Sequence, residues 1–167
     1  MKKVFSYVIL DAGDKMKKKL LLIVTLLFIL TGCSSTDTNI TMLTCRGMFD
    51  IDEYTSFATE HIMYAEGDEV HMITSTEIVR STQEELLTDY RERLNEARDI
   101  FNRLPFYTFN VFEEEDVITT VRMINYKRIN KEDLLLVDDS IERLIRDGRV
   151  SLSLTREFYE SNGAICE

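Results

Sequence analysis

The 167 residues carry 20 Lys and Arg against 30 Asp and Glu, a formal charge of −10, with 44% hydrophobic residues, 6 Gly and 1 Pro. These values exclude a collagen-like, Pro/Gly-rich or wholly disordered chain. The acidic balance argues against binding to nucleic acid, which needs a positive surface to meet phosphate.

The charge is unevenly spread. Residues 1–32 hold six Lys and two Asp, for +4, so the remaining 135 residues hold 14 Lys and Arg against 28 Asp and Glu, for −14. A basic head before an acidic body is the pattern of a targeting segment. Lys17, Lys18 and Lys19 form a positive n-region, and Leu20 to Leu30 is apolar except for Thr25. That run is shorter than the about 20 apolar residues that span a bilayer and fits the h-region of a secretory signal. It closes on Leu30-Thr31-Gly32-Cys33, which resembles the lipobox of bacterial lipoproteins. Small residues there fit the narrow cleft of the signal peptidase. The thiol takes a diacylglycerol, and cleavage leaves the acylated Cys as the new N-terminus. The expectation is a signal peptide over 1–32, peptidase recognition through Leu30, Thr31 and Gly32, and lipidation at Cys33. The chain would then sit in the cell membrane, held by lipid and facing outside the cytoplasm. One acyl chain anchors marginally and two hold stably. Met16-Lys17-Lys18-Lys19 begins a complete signal by itself. The preceding Ala12-Gly13-Asp14-Lys15 can be encoded by a purine-rich message with a ribosome-binding sequence. Met16 is therefore read as the start, with a longer n-region from Met1 as the alternative.

Ser34 to Asn39 is polar and without apolar periodicity, so residues 33–39 read as the lipidated Cys and a tether, and 40–167 as one domain. Thr41 to Phe49 predicts a strand. Tyr54 to Ala65 and Glu69 to Arg80 predict two more, joined by the hairpin signal Glu66-Gly67-Asp68. Thr82-Gln83-Glu84-Glu85 has the form of a capping box. After it Leu86, Leu87, Tyr90, Leu94, Ala97, Ile100, Phe101 and Leu104 recur at helical spacing up to Pro105. Phe106 to Phe112 and Val117 to Tyr126 predict a second hairpin. Asn130 to Arg146 predicts a helix broken near Asp138-Asp139-Ser140, and Ser151 to Ser161 a short terminal helix with Gly163 as its C′ residue. Hairpins mean antiparallel pairing. The expected class is α+β: an antiparallel sheet of two hairpins plus an N-terminal strand, packed against an amphipathic helix, with short C-terminal helices.

Few residues point to chemistry. With Cys33 lipidated, Cys45 and Cys166 remain, and an even pair in an exported domain suggests a disulfide stapling the two ends of the fold. Two buried thiols or a mixed disulfide are the alternatives. The absence of C-x-x-C argues against a redox enzyme. His61 and His71, with Glu60 and Glu69 nearby, lack metal-ligand spacing, and no metal is expected. The acidic clusters Asp50/Asp52/Glu53 and Glu113 to Asp116 lack the calcium-loop pattern and read as solvated turns. No nucleophile elbow, phosphate loop, dinucleotide fingerprint or zinc-protease motif occurs, and no cofactor is implied. Tyr54, Phe57, Tyr64, Tyr90, Phe101 and Phe106 read as core, as do Tyr107, Phe109, Phe112, Tyr126, Phe158 and Tyr159. Past residue 32, Arg outnumbers Lys twelve to two, which suits ion pairing with carboxylates.

The lipobox, a short strand, Tyr64-Ala65-Glu66-Gly67-Asp68-Glu69-Val70 at a hairpin turn and the amphipathic helix after it resemble the YehR-like family of small bacterial lipoproteins. Thr120-Val121 leading to Tyr126 resembles the family's late strand, and Val150-Ser151-Leu152 to Gly163 its closing helix. The resemblance implies an α+β fold and an exported lipoprotein. It carries no established activity, so no catalytic residue transfers. The leading expectation is a membrane-anchored lipoprotein with a small non-catalytic domain that binds an envelope protein or small ligand, or has a structural role. The alternatives are an envelope hydrolase using unrecognised carboxylates, which needs a cleft with two facing carboxyl groups, and a small solute-binding lipoprotein.

Overall fold

A computed structural model describes residues 39–167. Leu30, Thr31, Gly32, Cys33, the start at Met16 and most of the tether lie outside the described residues. The described part is α+β, as expected. Strands β1 (Ile40–Asp50), β2 (Thr55–Glu66) and β3 (Glu69–Ser81) form a meander. Helix α1 (Glu84–Phe101) follows, then β4 (Tyr107–Glu113) and β5 (Val117–Asn125). The chain continues through α2 (Lys131–Val137), a 3-10 helix (Asp139–Leu144), β6 (Ile145–Arg146) and β7 (Arg149–Val150). It ends with α3 (Leu152–Ser161) and β8 (Ile165–Cys166). Six strands make one antiparallel sheet in the order β4-β5-β3-β2-β1-β8.

Alternation along each strand gives the sheet two unlike faces. Leu43 pairs with Met63, Met63 with Ile73, Ile73 with Ile124 and Ile124 with Tyr107, so one apolar row crosses five strands on the inner face. All five side chains are buried. Helix α1 presents Leu87, Tyr90, Leu94, Ala97 and Phe101 at helical spacing and lies against β4, where the Phe101 ring stacks on Tyr107 at 4.7 Å. Ile141, Leu144, Phe158 and Tyr159, from the 3-10 helix and α3, pack into the same core. The opposite face leaves Met42, Met48, Phe112 and Met123 exposed.

Two fastenings hold the C-terminal segment. At its start, the β2–β3 turn places Gly67 at φ +59°, a left-handed conformation that glycine adopts at no steric cost. The next residue, Asp68, is thereby aimed at the N-terminus of α3. Its carboxylate accepts from the Ser151 hydroxyl at 2.6 Å and the Ser153 N–H at 2.8 Å, while its carbonyl accepts from the Leu152 N–H at 2.7 Å. The hairpin motif that carried the family resemblance thus adds a distant strand turn to the cap of α3, whose own Ser151 hydroxyl accepts from the Leu154 N–H at 3.2 Å. At the other end, Cys45 and Cys166 form a disulfide across 121 residues. Backbone hydrogen bonds in both directions between Thr44 and Glu167, each 2.9 Å, extend β8 along β1.

Several local expectations are corrected. The capping box does not form: α1 begins after Gln83, which makes no side-chain cap. Ser81, whose hydroxyl contacts Thr55 Oγ1 at 2.9 Å, accepts from the Gln83 N–H at 3.1 Å instead. The helix ends at Phe101, before Pro105, because the Asn102 side chain turns to β4. There it donates to the Phe109 carbonyl and accepts from the Phe109 N–H, mimicking a strand neighbour. The helix expected over Asn130 to Arg146 is α2 and the 3-10 helix, separated at Asp138 as foreseen. It gives way to a β6–β7 hairpin around Asp147 and Gly148, both with positive φ, the geometry of an Asp-Gly hairpin turn. Among the aromatics expected in the core, Tyr54, Phe106 and Phe112 are exposed. Tyr54 lies between strands, Phe106 precedes β4 at φ +66°, and Phe112 points to the outer face. Arg46, Arg91, Arg122, Arg149 and Arg156 each reach a carboxylate within 3.2 Å.

Two outcomes follow. Asp68→Ala lowers unfolding free energy by about 1–2 kcal/mol at neutral pH, the scale of a lost helix cap. The Ser151 hydroxyl, then the Ser153 N–H and hydroxyl, hold the Asp68 carboxyl below its ordinary value. Its contribution is therefore full above the unfolded-state value and is lost as pH falls through the folded-state one, so urea titrations of variant and wild type converge in acid. Replacing Cys45 and Cys166 together by Ala costs about 4–5 kcal/mol by loop-closure entropy, and a denaturation midpoint unchanged from the oxidised protein would refute the staple.

Candidate functional site

Between the inner face of the sheet and the C-terminal segment lies a cleft of about 450 Å³. Strands β2, β3 and β5 make its floor. The 3-10 helix and α3 make one wall, and Phe49 at the end of β1 closes a corner.

The floor is polar where a core would be apolar. Register places Cys45, His61, Ser75, Arg122 and Phe109 in one row across the sheet. Gly47, Thr59, Glu77, Thr120 and Val111 form the next row. Glu77 and Arg122 stand diagonally on neighbouring strands and form an ion pair at 2.5 Å, with the Arg122 side chain about one quarter exposed. Burial works against the Arg122 charge, but Glu77, Tyr107 and Tyr159 more than offset it and raise its pKa above the ordinary arginine value. His61 Nδ1 lies 2.9 Å from the Ser75 hydroxyl, and the imidazole stacks on the Tyr159 ring at 4.0 Å. Burial, helped by the Arg122 charge, pushes His61 down to about 4, so the ring is neutral at physiological pH. Burial likewise pushes the phenols of Tyr107 and Tyr159 up to about 12 and that of Tyr126 higher still.

Two buried polar atoms on these rows, Arg122 Nε and Thr120 Oγ1, have no hydrogen-bond partner among the described residues. A sheet face built for stability alone would pair such groups or replace them with apolar side chains.

The walls are aromatic. Phe49, Phe57, Tyr126, Phe158 and Tyr159 line the cleft. The Phe49 ring folds back over its own strand because Gly47 lacks a side chain: a Cβ there would meet the ring at 2.7 Å. Gly163, at φ +86°, lies against the other side of the same ring, with its Cβ position 2.9 Å away. Asp138 and Ser140 enter from the start of the 3-10 helix, where Asp138 Oδ1 accepts from the Ser140 N–H at 3.1 Å and from its hydroxyl at 2.5 Å.

The sequence-based candidates fall differently. Cys45 and Cys166 are bonded and brace the α3–β8 wall. His61 and His71 do not meet: His61 is in the cleft floor, and His71 Nε2 lies 3.8 Å from Glu66. Among the described residues, no group of three or more His, Cys, Asp or Glu is arranged to hold a metal ion. Asp50, Asp52 and Glu53 lie at a shallow depression that also includes Arg80 and Asp116. Glu77, Arg122 and Asp138 were not singled out by the sequence. The usable signals were Gly47 inside a strand, which marks a close approach, and charged residues at inward positions of β3 and β5.

No family model and no curated protein matches the sequence. Among solved structures, an NMR structure of a protein from Streptococcus pneumoniae TIGR4 is similar at TM-score 0.56 and 10% identity, covering 80% of this chain and 88% of that one. The NMR structure of the E. coli YehR protein is similar at TM-score 0.52 and 12% identity, covering 76% and 91%. At these identities the likeness is one of fold: the chain has a YehR-like fold.

The neutral His61 sets a pH dependence. Its folded-state pKa is below the ordinary 6.5, so its contribution is full above 6.5 and is lost as pH falls toward about 4. This group removes up to roughly 3 kcal/mol over that window. Unfolding titrations of His61→Gln, which keeps a hydrogen-bonding group beside Ser75, show a flatter slope there.

Proposed function

We propose that the chain is an exported lipoprotein, acylated at Cys33, whose folded domain binds a small ligand in the cleft and does not catalyse a reaction. On this reading the chain belongs with the YehR-like lipoproteins and faces outside the cytoplasm. The observation that carries it is the Cys45–Cys166 bond. Such bonds persist in oxidising compartments outside the cytoplasm, and this one uses both domain cysteines, leaving Cys33 of the Leu30-Thr31-Gly32-Cys33 box as the third. Among the described residues no helix is long and apolar enough to cross a membrane.

Binding is favoured over hydrolysis by how the cleft's carboxylates are used. Glu77 accepts from the Arg122 guanidinium and Asp138 caps the 3-10 helix. Both arrangements fix orientation, whereas a hydrolase needs one carboxyl held ready to give up a proton and another ready to attack or activate water. The cleft matches the usual size and character of small-molecule sites: a few hundred cubic ångströms, mostly apolar, with a few convergent polar groups.

The test is the intact mass of the protein extracted from its own membranes in mild detergent. The expected species begins at diacylated Cys33 and is two hydrogens lighter than the reduced form. Cys33→Ala abolishes labelling by a palmitate analogue. A species beginning at Met1 or Met16 without lipid, or a Cys33→Ala protein that still labels, overturns the reading.

A further inference from the structure

The cleft also indicates what kind of ligand it takes, an inference that rests on its reading as a binding site. Three charged residues line it: Glu77, Arg122 and Asp138. Arg122 donates to Glu77 Oε1. Glu77 Oε2 and Asp138 Oδ2 accept no side-chain hydrogen bond among the described residues, since Asp138 engages Ser140 through Oδ1. His61, the remaining titratable group of the floor, is neutral. The lining thus offers one surplus negative charge and two carboxylate oxygens still able to accept. Around them stand the rings of Phe49, Phe57, Tyr126, Phe158 and Tyr159; aromatic faces attract cations, as Arg143 over the Phe158 ring at 5.0 Å already shows, while one face of Tyr159 is taken by the His61 ring. The wider field has the same sign, because residues 33–167 sum to −14.

An anionic ligand fits this poorly. A carboxylate or phosphate accepting from the unpaired Arg122 Nε would bring a further negative charge beside Glu77 and Asp138, in a lining already negative. A wholly apolar ligand would leave the two free carboxylate oxygens without a donor as water is displaced.

We propose that the cleft binds a small organic ammonium: a protonated amine directed to Glu77 and Asp138, carried on an aromatic or bulky aliphatic body that packs against the ring-lined walls. A protonated amine supplies N–H donors for the free oxygens and a charge for the ring faces, and it leaves the Arg122–Glu77 pair intact.

Three probes of nearly one shape separate the contributions: phenethylammonium, 2-phenylethanol and 3-phenylpropanoate. Each is titrated into the isotope-labelled full chain in non-ionic detergent while amide and aromatic resonances are followed. Phenethylammonium shifts the resonances of His61, Phe158 and Tyr159 and binds about tenfold more tightly than 2-phenylethanol, with 3-phenylpropanoate weakest. Asp138→Asn keeps the side-chain oxygen that caps the 3-10 helix. It weakens phenethylammonium about fivefold while leaving 2-phenylethanol unchanged. Phe57→Leu weakens both. Equal binding of the ammonium and the alcohol, or a preference for the propanoate, overturns the ammonium assignment but leaves the cleft a binding site. Unmoved cleft resonances with all three probes overturn both. Neither result bears on acylation at Cys33, which the intact mass decides.

Discussion

The sheet has one face to cover and two separate parts of the chain with which to cover it. Helix α1 takes the half over β4 and β5 by direct apolar packing. The other half is covered by the segment after Asn130, which is short and broken into small pieces. Helices of seven and ten residues have little stability alone, since nucleation is costly and few hydrogen bonds repay it. They are ordered by tertiary attachment, and here the attachments are discrete: Asp68 capping α3 at one end, and Cys45–Cys166 with its flanking backbone pairs at the other. The cleft exists because the segment is held at these two points and stands over polar floor residues between them.

That arrangement explains why a buried ion pair is tolerated in the middle of a sheet face. Two charges removed from water repay their desolvation only with good geometry and additional hydrogen bonds. The Arg122–Glu77 contact is short, but Arg122 Nε is left unpaired among the described residues. An apolar pair would pack the same place with less electrostatic cost. Stability at this face is supplied by the apolar row of Leu43, Met63, Ile73, Ile124 and Tyr107 beside the pair, and the proposed ligand site would give the pair a use that stability does not.

Much of the fold was legible in the sequence. Strand alternation, the Gly67 turn, the spacing of Leu87, Tyr90, Leu94, Ala97 and Phe101, and the break at Asp138 are local signals, and each structural element they indicate is present. The two domain cysteines were paired by counting alone. The misses had physical causes. Thr82 and Glu85 have the capping-box spacing, but Ser81 was already placed by Thr55 to serve Gln83. The Asp147-Gly148 pair lies just past the helical pattern ending at Arg146, and its hairpin pairs only two residues a side, too few to show alternation. Of the cleft, only Gly47 inside a strand and the inward charges of β3 and β5 left a local signal. His61 meets Ser75 through the β2–β3 hairpin, but Arg122 joins them only through the pairing of β3 with β5, strands separated by a helix and another strand. No local periodicity reports that register.

The long span of the disulfide has a consequence for a domain exposed to proteases. Nearly all of the described chain, from Cys45 to Cys166, lies inside one covalent ring. A single cut in any loop within it, at the β1–β2 turn, after α1 or around Gly148, opens the ring without releasing a fragment. The two sides of the cut stay at the high effective concentration of one molecule, and the sheet can hold its pairing across the nick. Surface loops on such a domain are freer to vary than their exposure suggests, because cleavage there does not set either piece adrift.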